Sequence, residues 1–269
     1  MGRLEGKTAV VLGAAGDGNM GQVIARRLAA EGAQVVAAGR HESPLADLAR
    51  ELGGRHLICD ITQADDLRRL ARAALDWTGR LDVGVNATGW GLLKPFLETT
   101  EDELDRMADL QFKGPFQWLQ AMIAGMVDAG RGGSLVQISS ATATIMLNDH
   151  AAYMGAKAGV DHVIRCVAHE FGAQGIRANS ISPGLTATPM TAQAQVTPGL
   201  FDAFLPSYPL GRVGTSDDIA AAAVWLASDE CFMTGENLQV NGGLTLRRNP
   251  TREEIAASVT RAMAQRAGS

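Results

Sequence analysis

Short runs rich in β-branched residues alternate with longer segments of helical spacing along almost the whole chain. The short runs predict strands at residues 8–12, 34–38, 56–59, 81–85, 134–138, 176–181 and 237–240. The longer segments predict helices at residues 20–31, 43–52, 64–77, 101–129, 151–172, 216–227 and 251–266. Strands separated by helices pair in parallel, and the helices cover both faces of the sheet. The alternation therefore predicts an α/β fold, and residues 1–269 form a single domain because neither a linker nor a repeat divides them.

Charge and hydropathy argue against two classes of partner. The chain has 24 Lys and Arg against 29 Asp and Glu, a net charge of −5, and both signs are interspersed, so no basic stripe marks a nucleic-acid surface. No apolar stretch reaches the length of a membrane span and no leader pattern precedes the first predicted strand, so we expect a cytoplasmic protein. Cys59, Cys166 and Cys231 lack a metal-binding spacing, and we expect reduced core residues and no metal site.

Two segments depart from the alternation. Residues 186–209 carry Met190, Phe204 and other apolar side chains among Pro, Gly and Thr, which is typical of a lid over a ligand. A surface excursion that buries its own aromatic residues is the alternative. Residues 250–266 are charged and place apolar residues at helical spacing, which predicts a C-terminal helical extension with one face to bury.

The stretch VVLGAAGDGNMGQVIARRLA, residues 10–29, places four glycines between the first predicted strand and the first predicted helix. Backbone N–H groups of such a turn can bind a pyrophosphate at the positive end of the helix dipole, and glycine lets the ligand approach the backbone. The spacing is not GxGxxG, and Asp17 would repel a phosphate unless it points outward, so a flexible turn is the alternative. The candidate cofactor-binding residues in this stretch are Gly13, Gly16, Gly18, Met20 and Gly21.

The ends of the second and third strands bear on the choice of cofactor. The second strand ends in AAGRH, where an acidic side chain would bind the ribose hydroxyls of NAD. Arg40 lies there instead, and its guanidinium suits a 2′-phosphate, which favours NADP(H) over NAD(H); a surface arginine is the alternative. Asp60, followed by Ile61, either accepts a hydrogen bond from the adenine amino group or caps the next helix. Arg40, Asp60 and Ile61 are candidate cofactor contacts.

The sequence AAYMGAKAG places Tyr153 and Lys157 four residues apart on a predicted helix, so that both side chains lie on one face. A phenol has a pKa of about 10, and a neighbouring ammonium or an oxidised nicotinamide lowers it toward the range of a useful base. Ser140 closes the preceding strand, where an α/β sheet presents side chains to ligands, although a turn or cap residue is the alternative. These three residues are the first catalytic candidates.

Eight blocks resemble the short-chain dehydrogenase/reductase family in family order and spacing, from residue 4 to residue 243. They are GKTAVVLGAA, CDIT, LDVGVNATG, LVQISSAT, YMGAK, NSISPGLTATPM, GRVGTSDDIAAAAVWLASD and TGENLQVNGG. The resemblance implies a Rossmann-type, doubly wound parallel sheet of seven strands in the order 3-2-1-4-5-6-7. It also implies an NAD(P)-dependent oxidoreductase that interconverts a ketone or aldehyde and an alcohol by hydride transfer.

The resemblance also assigns roles to individual residues. Tyr153 falls on the general acid/base, and Lys157 falls on the residue that binds the nicotinamide ribose and lowers the tyrosine pKa. Ser140 falls on the hydroxyl that orients the carbonyl. Further cofactor contacts implied by the family motifs are Asn86, Pro183, Gly184 and Thr188.

Three features depart from the family pattern. The motif NNAG reads NATG here, so Ala87 replaces the second asparagine, and the glycine loop is two residues longer than usual. Gln111 occupies the position of a catalytic asparagine that holds a water of a proton relay. Gln extends the amide by one methylene, roughly 1.5 Å, so we expect an altered relay; a side chain that only packs is the alternative.

The substrate pocket is expected between residues 90–94, residues 141–148 and the lid. Apolar candidates, chiefly Trp90, Met146, Met190 and Phe204, favour a hydrophobic or aromatic small molecule, although each could instead be a core residue. Two other functions stay open, a 3-oxoacyl thioester reductase and a cofactor-binding regulatory protein with impaired catalysis. The long helices at 101–129 and 151–172 carry surplus apolar residues. The resemblance implies that such helices pair across a dimer interface, and we expect a homotetramer.

Overall fold

A computed structural model describes residues 2–192, 196, 199–246, 255–256 and 259. Seven strands form one parallel sheet in the order β3-β2-β1-β4-β5-β6-β9. They are β1 (Thr8–Leu12), β2 (Gln34–Gly39), β3 (Arg55–Ile58), β4 (Val83–Asn86), β5 (Gly133–Ile138), β6 (Ile176–Pro183) and β9 (Asn237–Val240). The predicted sheet order is confirmed, because β9 is the seventh strand of this sheet along the chain.

Helices cover both faces of the sheet. They are α1 (Met20–Ala30), α2 (Glu42–Leu52), α3 (Ala64–Thr78), α4 (Glu101–Ala108), α5 (Gly114–Ala129), α6 (Ala151–Phe171), α7 (Leu200–Phe204) and α8 (Ser216–Ala227). Because β1 and β4 are buried along their whole length, each face of the sheet has its own apolar layer. One layer joins the sheet to α1, α2 and α8, and the other joins it to α3, α5 and α6.

The predicted helix at 101–129 is divided in the structure. A π-helical turn, Asp109–Lys113, separates α4 from α5, and the N–H of Gly114 donates to the carbonyl of Asp109, five residues earlier. Pro115 has no N–H to donate to the carbonyl of Gln111, so the regular α-helical bonding is lost at this point. The prediction of one uninterrupted helix was therefore wrong.

The predicted lid is tied to the domain at both ends. Two short strands, β7 (Thr186–Ala187) and β8 (Gly214–Thr215), pair with each other in parallel. Tyr208 is buried, and its hydroxyl accepts a hydrogen bond from the N–H of Leu185 at 2.6 Å. Residues 193–195 and 197–198 of this segment lie outside the described residues, as does the side chain of Met190.

The predicted C-terminal extension at 250–266 also lies outside the described residues, apart from 255, 256 and 259. Two of the three cysteines, Cys59 and Cys231, are buried as expected. Cys166 is exposed on α6, so its assignment to the core was wrong. Among the residues that the structure describes, no helix is long and apolar enough to cross a membrane, and no group of three or more His, Cys, Asp or Glu could hold a metal ion.

Candidate active site

The glycine loop packs closely on its own helix. A Cβ at Gly21 would lie 2.4 Å from the carbonyl oxygen of Gly13, and Gly13 itself has a φ of +99°. Asn19 caps α1: its Oδ1 accepts from the N–H of Gln22 at 2.9 Å, and its Nδ2 donates to the Gly13 carbonyl at 2.8 Å. The loop is thus built on close backbone approach beside a helix N-terminus, the arrangement that suits a pyrophosphate.

The extra length of the loop lies at the surface. Asp17 and Gly18 are exposed, and the N–H of Gly18 donates to Oε1 of Gln22 at 3.1 Å. Gly18, predicted to bind the cofactor, lines neither of the two clefts described below. A carboxylate next to a phosphate would repel it unless the carboxylate is in solvent. Asp17 is exposed, which is compatible with a phosphate bound at this loop.

Two adjoining clefts run along the carboxyl ends of the strands, with volumes of about 300 and 330 Å³. They share the residues Asn19, Ala87, Thr88 and Gly89, so they form one continuous groove. The first cleft is lined by the predicted cofactor residues Gly13, Gly16, Arg40, Asp60 and Ile61. The second is lined by the predicted residues Met20, Gly21, Ser140, Tyr153, Lys157, Pro183, Gly184 and Thr188.

The two polar residues of the first cleft differ in their contacts. Arg40 is exposed at the end of β2. Oδ1 of Asp60 accepts from the N–H and the hydroxyl of Thr62, both at 2.9 Å, so this carboxylate holds the turn that precedes α3. The N-cap residue of α3 is Gln63. The alternative prediction, that Asp60 caps this helix, was therefore wrong.

Asn86 stabilises the turn below the groove. It is fully buried, and its Nδ2 donates to Oε1 of Gln137 at 2.9 Å. Its Oδ1 accepts from the N–H of Thr88 at 3.1 Å and from the Thr88 hydroxyl at 2.8 Å. Thr88 and Gln137 thus supply polar side-chain contacts in a turn where the Ala87 side chain can make none. Neither residue was a sequence candidate.

The three catalytic candidates meet in the second cleft. Ser140 ends the segment after β5, and its Oγ lies 2.8 Å from Oγ1 of Thr142. Lys157 is buried, its Nζ donates to the carbonyl of Ile138 at 2.9 Å, and it lies 5.5 Å from the centroid of the Tyr153 ring. The carboxyl end of β5 and one face of α6 therefore bring together a hydroxyl, a phenol and an ammonium.

Burial shapes the titration of this group. It raises the pKa of Tyr153 to about 12, and the hydrogen bond with Ser140 acts in the opposite direction. Burial also lowers the pKa of Lys157 to about 8, which the carboxylate of Asp161 opposes. At neutral pH the phenol therefore holds its proton and can give it away, while the ammonium is charged but easily deprotonated.

Gln111 lies in the π-helical turn, one element away from the second cleft. Its Nε2 donates to the carbonyl of Trp90 at 2.9 Å. Its Oε1 is buried and accepts no hydrogen bond from the part of the chain that the structure describes. A buried acceptor of this kind is costly to leave unpaired, so it is suited to a bound water.

The residues predicted for the substrate divide between the clefts. Met146 and Phe204 line the second cleft. Trp90 lines the first cleft instead, where its ring lies 4.1 Å below the guanidinium of Arg106. Trp90 therefore lines a different cleft from Met146 and Phe204, and its contact with the substrate stays a prediction. Arg106 was not a candidate, because it lies on α4 outside every recognisable motif.

The chain is similar to known oxidoreductases over nearly its whole length. A protein-family model described as enoyl-(acyl carrier protein) reductase matches residues 13–245. D-threitol dehydrogenase from Mycolicibacterium smegmatis is 37% identical over 251 residues, which is 91% of this chain and 95% of that protein. The solved structure of a short-chain type dehydrogenase/reductase from Mycobacterium ulcerans has a TM-score of 0.86 at 33% identity, covering 95% of this chain and 96% of that one.

Two similar structures contain nicotinamide cofactors. A gluconate 5-dehydrogenase from Burkholderia cenocepacia, in complex with NADP and tartrate, has a TM-score of 0.85 at 27% identity and covers 90% of this chain and 96% of its own. A carveol dehydrogenase from Mycobacterium avium, in complex with NAD, has a TM-score of 0.84 at 29% identity, with 92% and 100% covered. Proteins of this shape thus bind either cofactor.

Proposed function

The chain belongs to the short-chain dehydrogenase/reductase family, and we propose that Tyr153, Lys157 and Ser140 carry out its interconversion of a carbonyl compound and an alcohol. The observation that carries this proposal is the meeting of the three side chains in one cleft that adjoins the glycine loop. It also argues against a regulatory protein that has lost catalysis, because each group needed for proton transfer is present.

The first cleft and its continuation fit a dinucleotide. A glycine loop that a Cβ would fill at Gly13 and Gly21 lies beside the capped N-terminus of α1. Asn86 and Thr88 support the middle of the groove, and Pro183, Gly184 and Thr188 line its inner end. The bound nicotinamide cofactor would supply or take up the hydride and, when oxidised, a positive charge beside the phenol.

The protein groups supply the proton and the geometry. In reduction, the Tyr153 phenol donates its proton to the substrate oxygen, while the Ser140 hydroxyl holds that oxygen by a hydrogen bond. The Lys157 ammonium, fixed on the Ile138 carbonyl, stabilises the phenolate that remains. In oxidation the same phenolate accepts the proton of the alcohol.

The choice of cofactor follows from the end of β2. Arg40 lines the first cleft and is exposed, and Gly39 stands where a carboxylate would reject a 2′-phosphate. We therefore propose NADP(H) as the preferred cofactor and NAD(H) as the poorer one.

The substrate is proposed to be a small, largely apolar carbonyl compound or alcohol. Ile145, Met146, Leu147 and Phe204 line the second cleft. A 3-oxoacyl thioester reductase is the alternative, and the family model is described by another reaction on carrier-bound substrates. Such an enzyme would need a basic surface for an acidic carrier protein. The exposed arginines of α3 do not form one, since Arg68, Arg69 and Arg72 are each paired with an aspartate.

The experiment follows NADPH and NADH oxidation over a panel of ketones and aldehydes, with Tyr153→Phe as the comparison. We expect turnover with at least one apolar ketone, faster with NADPH, and a loss of about 10³-fold in kcat for the variant, the usual contribution of a positioned proton donor. Cofactor binding, followed by fluorescence, should persist in the variant. A variant that retains wild-type kcat would contradict the role of Tyr153, and no turnover by the wild type would contradict the function.

A further inference from the structure

His150 is a polar group of the second cleft that the proton transfer does not use. It precedes Tyr153 by three residues at the start of α6, and its ring packs on the phenol ring with centroids 4.5 Å apart and planes at 31°. It lines the same cleft as Ser140 and Tyr153. The imidazole therefore lies beside the Tyr153 phenol, the group that transfers a proton to or from the substrate oxygen.

The orientation of this ring is fixed by the loop that follows β4. Nδ1 lies 2.7 Å from the carbonyl oxygen of Leu92. Because a carbonyl can only accept, Nδ1 must carry the proton. A second tie lies next to it: the carbonyl of Asp149 accepts from the N–H of Lys94 at 2.6 Å.

The backbone is strained at the same point. Asp149 has a φ of +60°, the left-handed region, and it is the only residue other than glycine with a positive φ among those described. Such a conformation is energetically costly and persists only where the surrounding contacts hold it. The two ties to residues 92 and 94 are contacts of this kind, and they fix the position of His150.

The other ring nitrogen is an acceptor. Burial lowers the pKa of His150, so the ring is neutral at neutral pH. With the proton on Nδ1, Nε2 presents a lone pair, and no described residue donates a hydrogen bond to it. Ser140 and Thr142, two hydroxyls of the same cleft wall, are paired with each other. The cleft therefore holds an unused acceptor beside the proton donor.

We propose that Nε2 of His150 accepts a hydrogen bond from a hydroxyl on the carbon next to the reacting carbon, so that the substrate is an α-hydroxy ketone or a vicinal diol with an apolar remainder. This inference rests on the proposed function, because it specifies the substrate of the same site. The centroids of the stacked rings are 4.5 Å apart, so the phenol and the imidazole are close enough to contact two oxygens on neighbouring carbons of one substrate. An ether oxygen at the same carbon has no hydrogen to donate, so the site distinguishes a hydroxyl from a methoxy group.

The test uses three aryl ketones that differ at one position: 2-hydroxyacetophenone, 2-methoxyacetophenone and propiophenone. We expect the wild type to favour the hydroxy ketone over the methoxy ketone in kcat/KM. His150→Phe keeps a ring against Tyr153 but has no acceptor, so this ratio should fall about tenfold, the value of one hydrogen bond. His150→Leu is the second variant if the first does not fold. His162→Phe, the same change at an exposed position of α6, should leave the ratio unchanged.

The outcomes separate the inference from the function. If the hydroxy preference disappears in His150→Phe while this variant still reduces propiophenone, and if His162→Phe keeps the preference, the role of Nε2 is supported. If the ratio is the same in both proteins, or if the wild type has no hydroxy preference, the inference is overturned while the oxidoreductase function stands. If Tyr153-dependent reduction of all three ketones and of the broader panel is absent, the function itself is refuted and the inference falls with it.

Discussion

Lys157 shows how one residue can serve catalysis at the expense of stability. Its side chain is buried, with only the Ile138 carbonyl and the more distant Asp161 carboxylate to offset the loss of water. Burial therefore destabilises the charged form of Lys157 relative to water, and this lowers its pKa from 10.5 to about 8. A residue kept only for packing would not carry this cost.

The sign of the pH effect follows from this shift. Between pH 8 and pH 10.5 the unfolded chain binds more protons at Lys157 than the folded chain, so this residue makes stability rise with pH through that window. Lys157→Met removes the effect. Between pH 7 and pH 10 the wild type should gain roughly 2–3 kcal/mol of unfolding free energy relative to the variant.

Urea unfolding at the two pH values, without added cofactor, measures this difference. Lys113→Met is the control, because Lys113 is largely exposed and pairs only with Asp109. A Lys157→Met variant with the same pH dependence as the wild type would show that the ammonium is not destabilised by burial.

At the scale of elements, the π-helical turn between α4 and α5 supports the wall of the first cleft, which its residue Leu110 lines. It places Gln111 under the Trp90 carbonyl, and the Trp90 ring lines the first cleft. The same amide keeps Oε1 buried and available to a water. Nε2 of Gln111 thus supports the wall of the first cleft, and its unpaired Oε1 is the group through which the predicted proton relay would run.

Gln111→Asn tests the relay. The shorter side chain, by roughly 1.5 Å, cannot keep both the Trp90 contact and the position of Oε1. We therefore expect the pH profile of kcat to shift while Tyr153 still carries the reaction, and turnover measured across pH for both proteins is the readout. Gln111→Leu, with no amide, should shift the profile at least as far. Profiles that coincide would mean that Gln111 only packs and that the relay uses bulk solvent.

Local patterns predicted the elements that depend on neighbours in sequence. The strands at 8–12 and 237–240 and the helix at 216–227 have the predicted bounds, and the other sheet strands differ by at most two residues at either end. Their burial follows directly from β-branched runs and helical spacing. The π-helical turn was not predicted, although Pro115 within a helical pattern was a visible signal.

Contacts between distant loops could not be predicted from local patterns. The ring of His150 is oriented by Leu92, 58 residues away, and Gln111 is bound to Trp90, 21 residues away. No spacing rule connects such pairs. The family resemblance predicted that Ser140, Tyr153 and Lys157 meet. It did not predict the hydrogen bonds of Gln111 and His150 that fix the loop after β4 beside the clefts. The cytoplasmic location and the tetramer stay predictions.

For the whole molecule, one face of the domain is left apolar. Phe116 and Val127 on α5 are 42% and 46% exposed, and they lie in a shallow depression that also includes Val163 and Phe171 of α6. Apolar patches of this kind on two long helices mark an interface between subunits. We propose that α5 and α6 pack against the same helices of a second copy, as part of the predicted homotetramer.

Phe116→Glu tests this assembly. A carboxylate at the centre of a two-fold interface faces its own copy, so the charge is both desolvated and repelled, and the subunits should separate. Light scattering coupled to size exclusion should give the wild type about four times the chain mass of 28.3 kDa and the variant a smaller multiple. Leu97→Glu is the control, because Leu97 is 94% exposed away from this depression and should leave the mass unchanged. A wild type that elutes at the mass of one chain, or a Phe116→Glu variant with unchanged mass, would refute the interface. Turnover measured on the separated subunits would show whether the active site depends on assembly.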